Sequence, residues 1–246
     1  MRFDDKSVLV TGGSRGIGKA IALRFAELGA ARVGVNYFRS DRAAEETADE
    51  LRALGAEPVL LRGNIADAAK VARLVEELGD LDVLVSNAAT GVIRPILELD
   101  EKHWDWTMNA NARALFTLAR HAAERMRDGG AIVAVSSLGS QRVLEDYSLV
   151  GTSKAAIEAL VRYLAVELAP HGIRVNAVSA GLVETGALEY FRDRETMLRE
   201  FAARTPAGRL VEPRDIAELV CFLASPGSDM IRGQTVVLDG GYSLPA

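Results

Sequence analysis

Residues 11–18 read Thr-Gly-Gly-Ser-Arg-Gly-Ile-Gly, and they constrain the fold more than any other stretch. A β-branched run, SVLVT at 7–11, leads into them, and a helical pattern, GKAIALRFAEL, leads out with Ile21, Phe25 and Leu28 on one face. A glycine-rich turn in that position joins a strand to a helix. The rhythm then repeats. Apolar runs RVGVN (32–36), PVLLR (58–62), DVLVS (82–86), AIVAVS (131–136), IRVNAVS (173–179) and TVVLD (235–239) alternate with helical windows. One such window is AAIEALVRYLAVEL, with Ile157, Leu160, Val161, Leu164 and Leu168 in phase. Nearly continuous apolar strands are covered on both faces, so the sheet is expected to be parallel. Gly29, Gly55, Gly79 and Gly172 follow helices as expected C-terminal caps.

The alternation predicts an α/β fold: a doubly wound parallel sheet of the Rossmann type, with residues 1–246 as one domain. Ligands of such sheets bind beyond the carboxyl ends of the strands. One stretch, 182–212, breaks the rhythm, and an inserted helix or two near 186–210 is expected to cover a substrate as a mobile lid. Five arginines, Arg192, Arg194, Arg199, Arg204 and Arg209, are interleaved there with acids, which favours a solvated helix face over a docking site.

Composition excludes several function classes. The net charge of −5 lacks the basic footprint of nucleic-acid binding. The only cysteine, Cys221, lies in an apolar helical run and is expected in the core. His103, His121 and His171 lack metal-ligand spacing, so no metal is expected. Asp4 and Asp5 and a short apolar run are unlike a signal peptide. No apolar stretch approaches the roughly 20 residues of a membrane helix. The expected location is cytoplasmic. Trp104 and Trp106 are expected to be packing residues, with shaping of a ligand pocket as the alternative.

Gly12, Gly16 and Gly18 would let the backbone approach a pyrophosphate at a helix N-terminus, which supplies amide donors. Here the motif resembles the TGxxxGxG fingerprint of the short-chain dehydrogenase/reductases, and the resemblance runs the length of the chain. LVSNAA (84–89) is similar to that family's NNAG element, with Ser86 and Ala89 as departures. Asn111 and Phe116 match its fourth helix, Ser136-Ser137 its serine element, and Ser153-Lys154-Ala155 its lysine segment. NAVSAGLVET (176–185) is similar to its N-x-V-x-P-G-x-x-x-T element, with Ala180 in place of proline. GQTVVLDGG matches its last strand.

The resemblance implies a nicotinamide dinucleotide held by Gly12, Ser14, Arg15, Gly16, Ile17 and Gly18 in the first turn. Tyr37, Arg39 and Ser40 would follow the second strand, with Asn64 and Ile65 after the third. Asn87 and Ala88, Lys154, and then Gly181, Val183 and Thr185 complete the implied cradle. The neutral Asn36 stands where an acid would bind a ribose 2′-hydroxyl, and Arg15 and Arg39 suit a 2′-phosphate, so NADPH is the expected cofactor.

Most of the family carries a tyrosine four residues before the lysine, but here that position is Val150. Tyr147 lies seven residues before Lys154, and seven steps of roughly 100° return to within about 20° of the same helix face. That spacing resembles the family's enoyl-thioester reductases. Blocks such as SSLGSQRVLEDYSLVGTSKAAIEALVRYLAVEL are similar to the type III enoyl-acyl-carrier-protein reductases. The resemblance implies Tyr147, Lys154, Ser137 and Asn111 as catalytic residues, with the Lys154 charge lowering the Tyr147 pKa. It also implies an acyl thioester substrate, on acyl carrier protein or coenzyme A, and a homotetramer paired through two long helices and the last strand. Two further readings stay open: a carbonyl reductase on the same scaffold, and a cofactor-binding protein that lost catalysis along with a tyrosine at position 150.

Overall fold

The structure, a computed structural model, describes residues 1–183 and 194–244, with the backbone alone at 194, 195 and 197. Seven parallel strands form one sheet in the order β3-β2-β1-β4-β5-β6-β7. They are β1 (Ser7–Thr11), β2 (Arg32–Tyr37), β3 (Glu57–Arg62), β4 (Val83–Ser86), β5 (Gly130–Ser137), β6 (Ile173–Ala180) and β7 (Thr235–Leu238). The expected strands are all present, with ends shifted by a residue at most. The order reverses between β1 and β4, which pair at Val8–Val83, Leu9–Leu84 and Val10–Val85. Two crossovers leave in opposite directions there, so a crevice opens past the carboxyl ends.

The helices are α1 (Gly16–Glu27), α2 (Asp41–Ala53), α3 (Ala68–Leu78), α4 (Glu101–Met108), α5 (Ala114–Ala123), α6 (Ser148–Glu167), α7 (Arg194–Arg204) and α8 (Pro213–Ala224). Strand alternation divides the core into two layers. Val8, Val10, Val83, Val85, Val133 and Val135 face α1 and α8 with Phe25, Ile216 and Val220. Leu9, Leu84, Ile132 and Ala134 face the opposite layer, where Leu74 and Leu78 of α3, Leu115 and Leu118 of α5 and Ile157 and Val161 of α6 pack. Burial of each such side chain contributes roughly 1.5–3 kcal/mol, and together these contacts hold the strand ends rigid. Cys221 is in the first layer as expected, and burial pushes its thiol up to about 12. The four expected capping glycines all have positive φ, from 70° at Gly172 to 98° at Gly29.

One feature lies beyond the sequence reading and one departs from it. Residues 101–123 are interrupted by a π-helical turn, Asn109–Arg113, between α4 and α5. Trp104 and Trp106 are not packed into the core. They are 45% and 48% exposed, because α4 turns Thr107 inward and leaves both indoles on its outer side. Of the expected 186–210 lid, α7 is described, whereas 184–193 lie outside the described residues. The arginines that can be placed there have internal partners. Arg209 forms a bidentate pair with Asp215 at 2.6 and 2.8 Å, and Arg204 lies over the Tyr242 ring. Among the described residues no helix is long and apolar enough to cross a membrane.

Candidate active site

The crevice begins at the glycine turn. Gly12 and Gly16 have φ of 63° and 55°, values that side chains disfavour. A Cβ at Gly18 would collide with the Gly12 carbonyl and come within 2.6 Å of Asn87 Nδ2. The N-terminus of α1 carries no side-chain cap at Arg15, so its first-turn amides are open to an anion. This backbone cradle fits a dinucleotide pyrophosphate. Ser14 is buried, Ile17 half-buried, and Arg15 projects into solvent.

Thr11 braces the cradle, and the sequence reading passed over it. Its hydroxyl accepts from the amides of Asn87 and Ala88, both at 3.0 Å, while Asn87 Nδ2 donates to the Thr11 carbonyl at 2.9 Å. The loop after β4 is thereby locked to the loop after β1. The signal available in the sequence was the position itself, a hydroxyl at the end of the first strand.

The second strand corrects one expectation. Asn36 does not face the crevice. Its amide donates to the carbonyls of Leu61 and Gly63 at 3.0 and 3.1 Å and ties β2 to the end of β3. Tyr37 is the last strand residue, and Arg39 is exposed beside Ser40, its guanidinium 5.5 Å from the Phe38 ring centroid. An acid that the reading missed, Asp41, begins α2 close by. It is engaged by Arg62 at 3.4 Å, and its charge, after burial, helps push the Tyr37 phenol up. Asn64 closes its own turn by accepting from the Ala66 amide at 3.0 Å, and Ile65 beside it is buried.

On the other flank, β5 and β6 pair Ser137 with Ala180. Gly181 follows, its amide donating to Leu238, and Val183 bridges to Val211. Thr185 lies outside the described residues.

The structure brings Ser137 and Tyr147 together, close enough for the serine hydroxyl to act on the phenol. Tyr147 gets there by a different route from helix periodicity. It is the N-cap of α6, just outside the helix, and Asp146 before it takes a left-handed φ of 58°. That backbone costs about 1–3 kcal/mol and must be held by its surroundings. Here the Arg94 amide donates to the Asp146 carbonyl at 3.1 Å, and the Gly151 amide to the Tyr147 carbonyl at 2.7 Å. The tyrosine ring lies on Gly139, where any Cβ would be only 2.5 Å from its Cε1. Val150 is buried and packs on Gly91.

Burial pushes the Tyr147 phenol up, and the Ser137 hydrogen bond opposes this, as a hydroxyl donating to the phenol oxygen would. The expected lowering by the Lys154 charge is not seen in this structure: burial and Ser137 set the phenol, and the ammonium is directed at the Val135 carbonyl. Lys154 is buried. Its ammonium donates to the Val135 carbonyl at 2.8 Å and is brought down to about 8 by desolvation, against the pull of Glu158. Asn111 lies in the π turn and braces the site. Its amide nitrogen donates to the Thr90 carbonyl at 2.9 Å and to Ser153 Oγ at 2.8 Å, and its oxygen accepts from the Thr90 amide at 2.9 Å. A cavity of about 520 Å³ borders Tyr147 and is lined by Ile96, Val143 and Leu144 together with Arg94 and Arg142. The arrangement unites a backbone anion cradle, a buried cation and a phenol with a free proton to share.

Comparison with known proteins agrees with this architecture. Residues 12–243 match the family model described as enoyl-(acyl carrier protein) reductase. The chain is 39% identical, over 97% of its own length and 87% of the relative's, to 1-cyclohexenylcarbonyl-CoA reductase of Streptomyces collinus. It is 38% identical, over 96% and 94%, to a hydroxynaphthalene reductase-like protein of Metarhizium brunneum. The Bacillus cereus enoyl-acyl carrier protein reductase, solved with NADP+ and indole naphthyridinone, superimposes with a TM-score of 0.93 at 28% identity, each chain covered completely. The sheet order, the glycine cradle and these full-length matches place the chain in the short-chain dehydrogenase/reductase family, as an oxidoreductase that uses a nicotinamide cofactor.

Proposed function

We propose that the protein reduces the carbon–carbon double bond of a 2-enoyl thioester with NADPH. The observation that carries the reading is the position of Tyr147, beside the cavity and next to Ser137, while Val150 is packed away against Gly91. The Streptomyces relative, named for a cyclohexenylcarbonyl-CoA, supports it.

Bound NADPH supplies the hydride. As the β-carbon accepts it, the double-bond electrons move toward the thioester carbonyl, and negative charge develops on that oxygen. Tyr147 donates its phenol hydrogen bond to the oxygen, and such a donor strengthens as charge grows. Ser137 keeps the phenol oriented and partly stabilises its conjugate base. Lys154, whose ammonium is held at the Val135 carbonyl, would bind the nicotinamide ribose when the cofactor is present and would bring positive charge to this side of the crevice. The α-carbon then takes its proton from solvent, and any proton the phenol has lent to the enolate oxygen returns to it. Arg15 and Arg39, with Asp41 engaged by Arg62, leave a net positive setting for a 2′-phosphate. The apolar side chains of the cavity suit an acyl chain, and the two arginines suit the phosphates of coenzyme A or of a carrier arm.

The experiment is NADPH oxidation measured with paired crotonyl and acetoacetyl thioesters. Preferential turnover of the crotonyl compound is expected. Preference for acetoacetyl thioester would favour carbonyl reduction, for which the relative named for a hydroxynaphthalene is the specific support. Cofactor binding with no turnover of either would refute both. We propose in addition that the chain works as a homotetramer. Phe116 on α5, Tyr163 and Val166 on α6 and Val237 on the edge strand β7 are exposed apolar residues on the surfaces expected to pair. Sedimentation showing a monomer at micromolar concentration would overturn this.

A further inference from the structure

Glu158 is a buried carboxylate that plays no part in the proposed reaction. It lies one turn beyond Lys154 on α6 and is 5% exposed. A carboxylate is costly to bury, so one retained there needs donors. Glu158 takes its donors from a single segment, the end of β5 and the turn after it. Ser136 Oγ and Ser140 Oγ donate to Oε1 at 2.6 and 2.5 Å, and Gln141 Nε2 donates to Oε2 at 3.3 Å. Arg162, on the same helix, donates instead to the Glu158 backbone carbonyl at 3.1 Å.

Proton counting extends the network. Ser140 Oγ is also 2.8 Å from the Ser137 carbonyl. A hydroxyl has one proton to give. Ser140 therefore shares one proton between the Glu158 carboxylate and the Ser137 carbonyl. Ser140 thus joins Glu158 to the turn that begins at Ser137. Ser137 is the residue whose hydroxyl acts on the Tyr147 phenol, and Gly139 in the same turn is the surface on which the tyrosine ring lies.

We propose that Glu158 is the positioning residue of this site: by anchoring Ser136, Ser140 and Gln141 it sets the Ser137–Gln141 turn and, through it, the Tyr147 phenol. The inference rests on the reading of Tyr147 as the group that meets substrate oxygen, and on nothing about which substrate that is. A positioning role differs from a packing role in what it alters. It slows the chemical step while dinucleotide affinity and folding persist, because the glycine cradle lies across the crevice and shares none of these bonds, and Lys154, which Glu158 reaches only through its charge, keeps its own bond to the Val135 carbonyl.

The test uses the full-length chain and whichever thioester the wild type turns over, so a wild type that prefers a ketoacyl compound defeats the proposed function without touching this comparison. E158A is expected to lower kcat by about tenfold or more, with the NADPH dissociation constant held within about twofold. The kinetic isotope effect from 4-deuterated NADPH should rise, because hydride transfer becomes more rate-limiting. E158Q, whose amide oxygen still accepts from both serines, should recover most of the loss. An E158A protein that folds and keeps wild-type kcat overturns the proposal. So does a parallel fall of kcat and NADPH affinity, or an E158Q protein as impaired as E158A. If E158A does not fold, S140A decides: lowered kcat with unchanged NADPH affinity upholds the role, and unchanged kcat refutes it.

Discussion

Replacing Tyr147 by Phe removes one oxygen atom and leaves the ring on Gly139. In the resting protein the loss is at most one hydrogen bond, through the contact with Ser137. Ser137 keeps its bond from the Gly139 amide at 3.2 Å, so the folding cost is that of one half-buried hydrogen bond, about 1 kcal/mol. For a chain of this size that lowers Tm by about 2–4 °C. In the transition state the loss is larger, because the phenol faces an oxygen gaining charge in a partly desolvated site. Removing a donor of that kind costs about 2–4 kcal/mol, or about thirtyfold to several hundredfold in kcat. NADPH oxidation with crotonyl thioester gives kcat, and cofactor fluorescence gives the NADPH dissociation constant, which should barely change. Adding Val150→Tyr to the Tyr147→Phe background should not restore activity, since side chain 150 points against Gly91. Near-wild-type enoyl reduction by Tyr147→Phe would refute the reasoning, and so would rescue by a tyrosine at 150.

Three further outcomes are expected. Arg39→Ala should lower the ratio of kcat/KM for NADPH over NADH by about tenfold, through loss of a charged contact to the 2′-phosphate; an unchanged ratio would remove Arg39 from cofactor selection. Gly18→Ala should weaken dinucleotide binding by at least about tenfold, because its Cβ would drive the Gly12 carbonyl and Asn87 apart; calorimetric titration with NADPH checks this. Lys154 is protonated below about 8 and loses its charge as pH rises through that value, so kcat/KM should fall on the alkaline side from about pH 8. The stability effect has the opposite sense: the unfolded chain binds the extra proton between about 8 and the ordinary lysine value of 10.5, so this lysine's penalty on folding eases as pH rises through that window. An alkaline limb that persists unchanged in Lys154→Met would assign it to another group.

The sequence by itself determined the sheet, the helices and the cofactor end of the crevice. Strand alternation and the glycines at 12, 16 and 18 are local properties. An apolar run buried on both faces, or a backbone that must pass close to a phosphate, leaves its mark within a few residues. The same holds for the capping glycines and for buried Cys221. What only the tertiary structure decided was how distant residues meet. Tyr147 is poised by a left-handed Asp146, an amide of Arg94 from another loop and the bare surface of Gly139, not by the helical phase that pointed to it. Asn36 turned from the crevice because the carbonyls of Leu61 and Gly63 needed a donor. Trp104 and Trp106 face outward because the π turn and α4 present Thr107 to the core. Glu158 was written into the chain as an acid on the buried stripe of Lys154, Val161 and Ala165. Its meaning depends on three donors some twenty positions earlier, and no periodicity within a helix reports which segment will be folded against it.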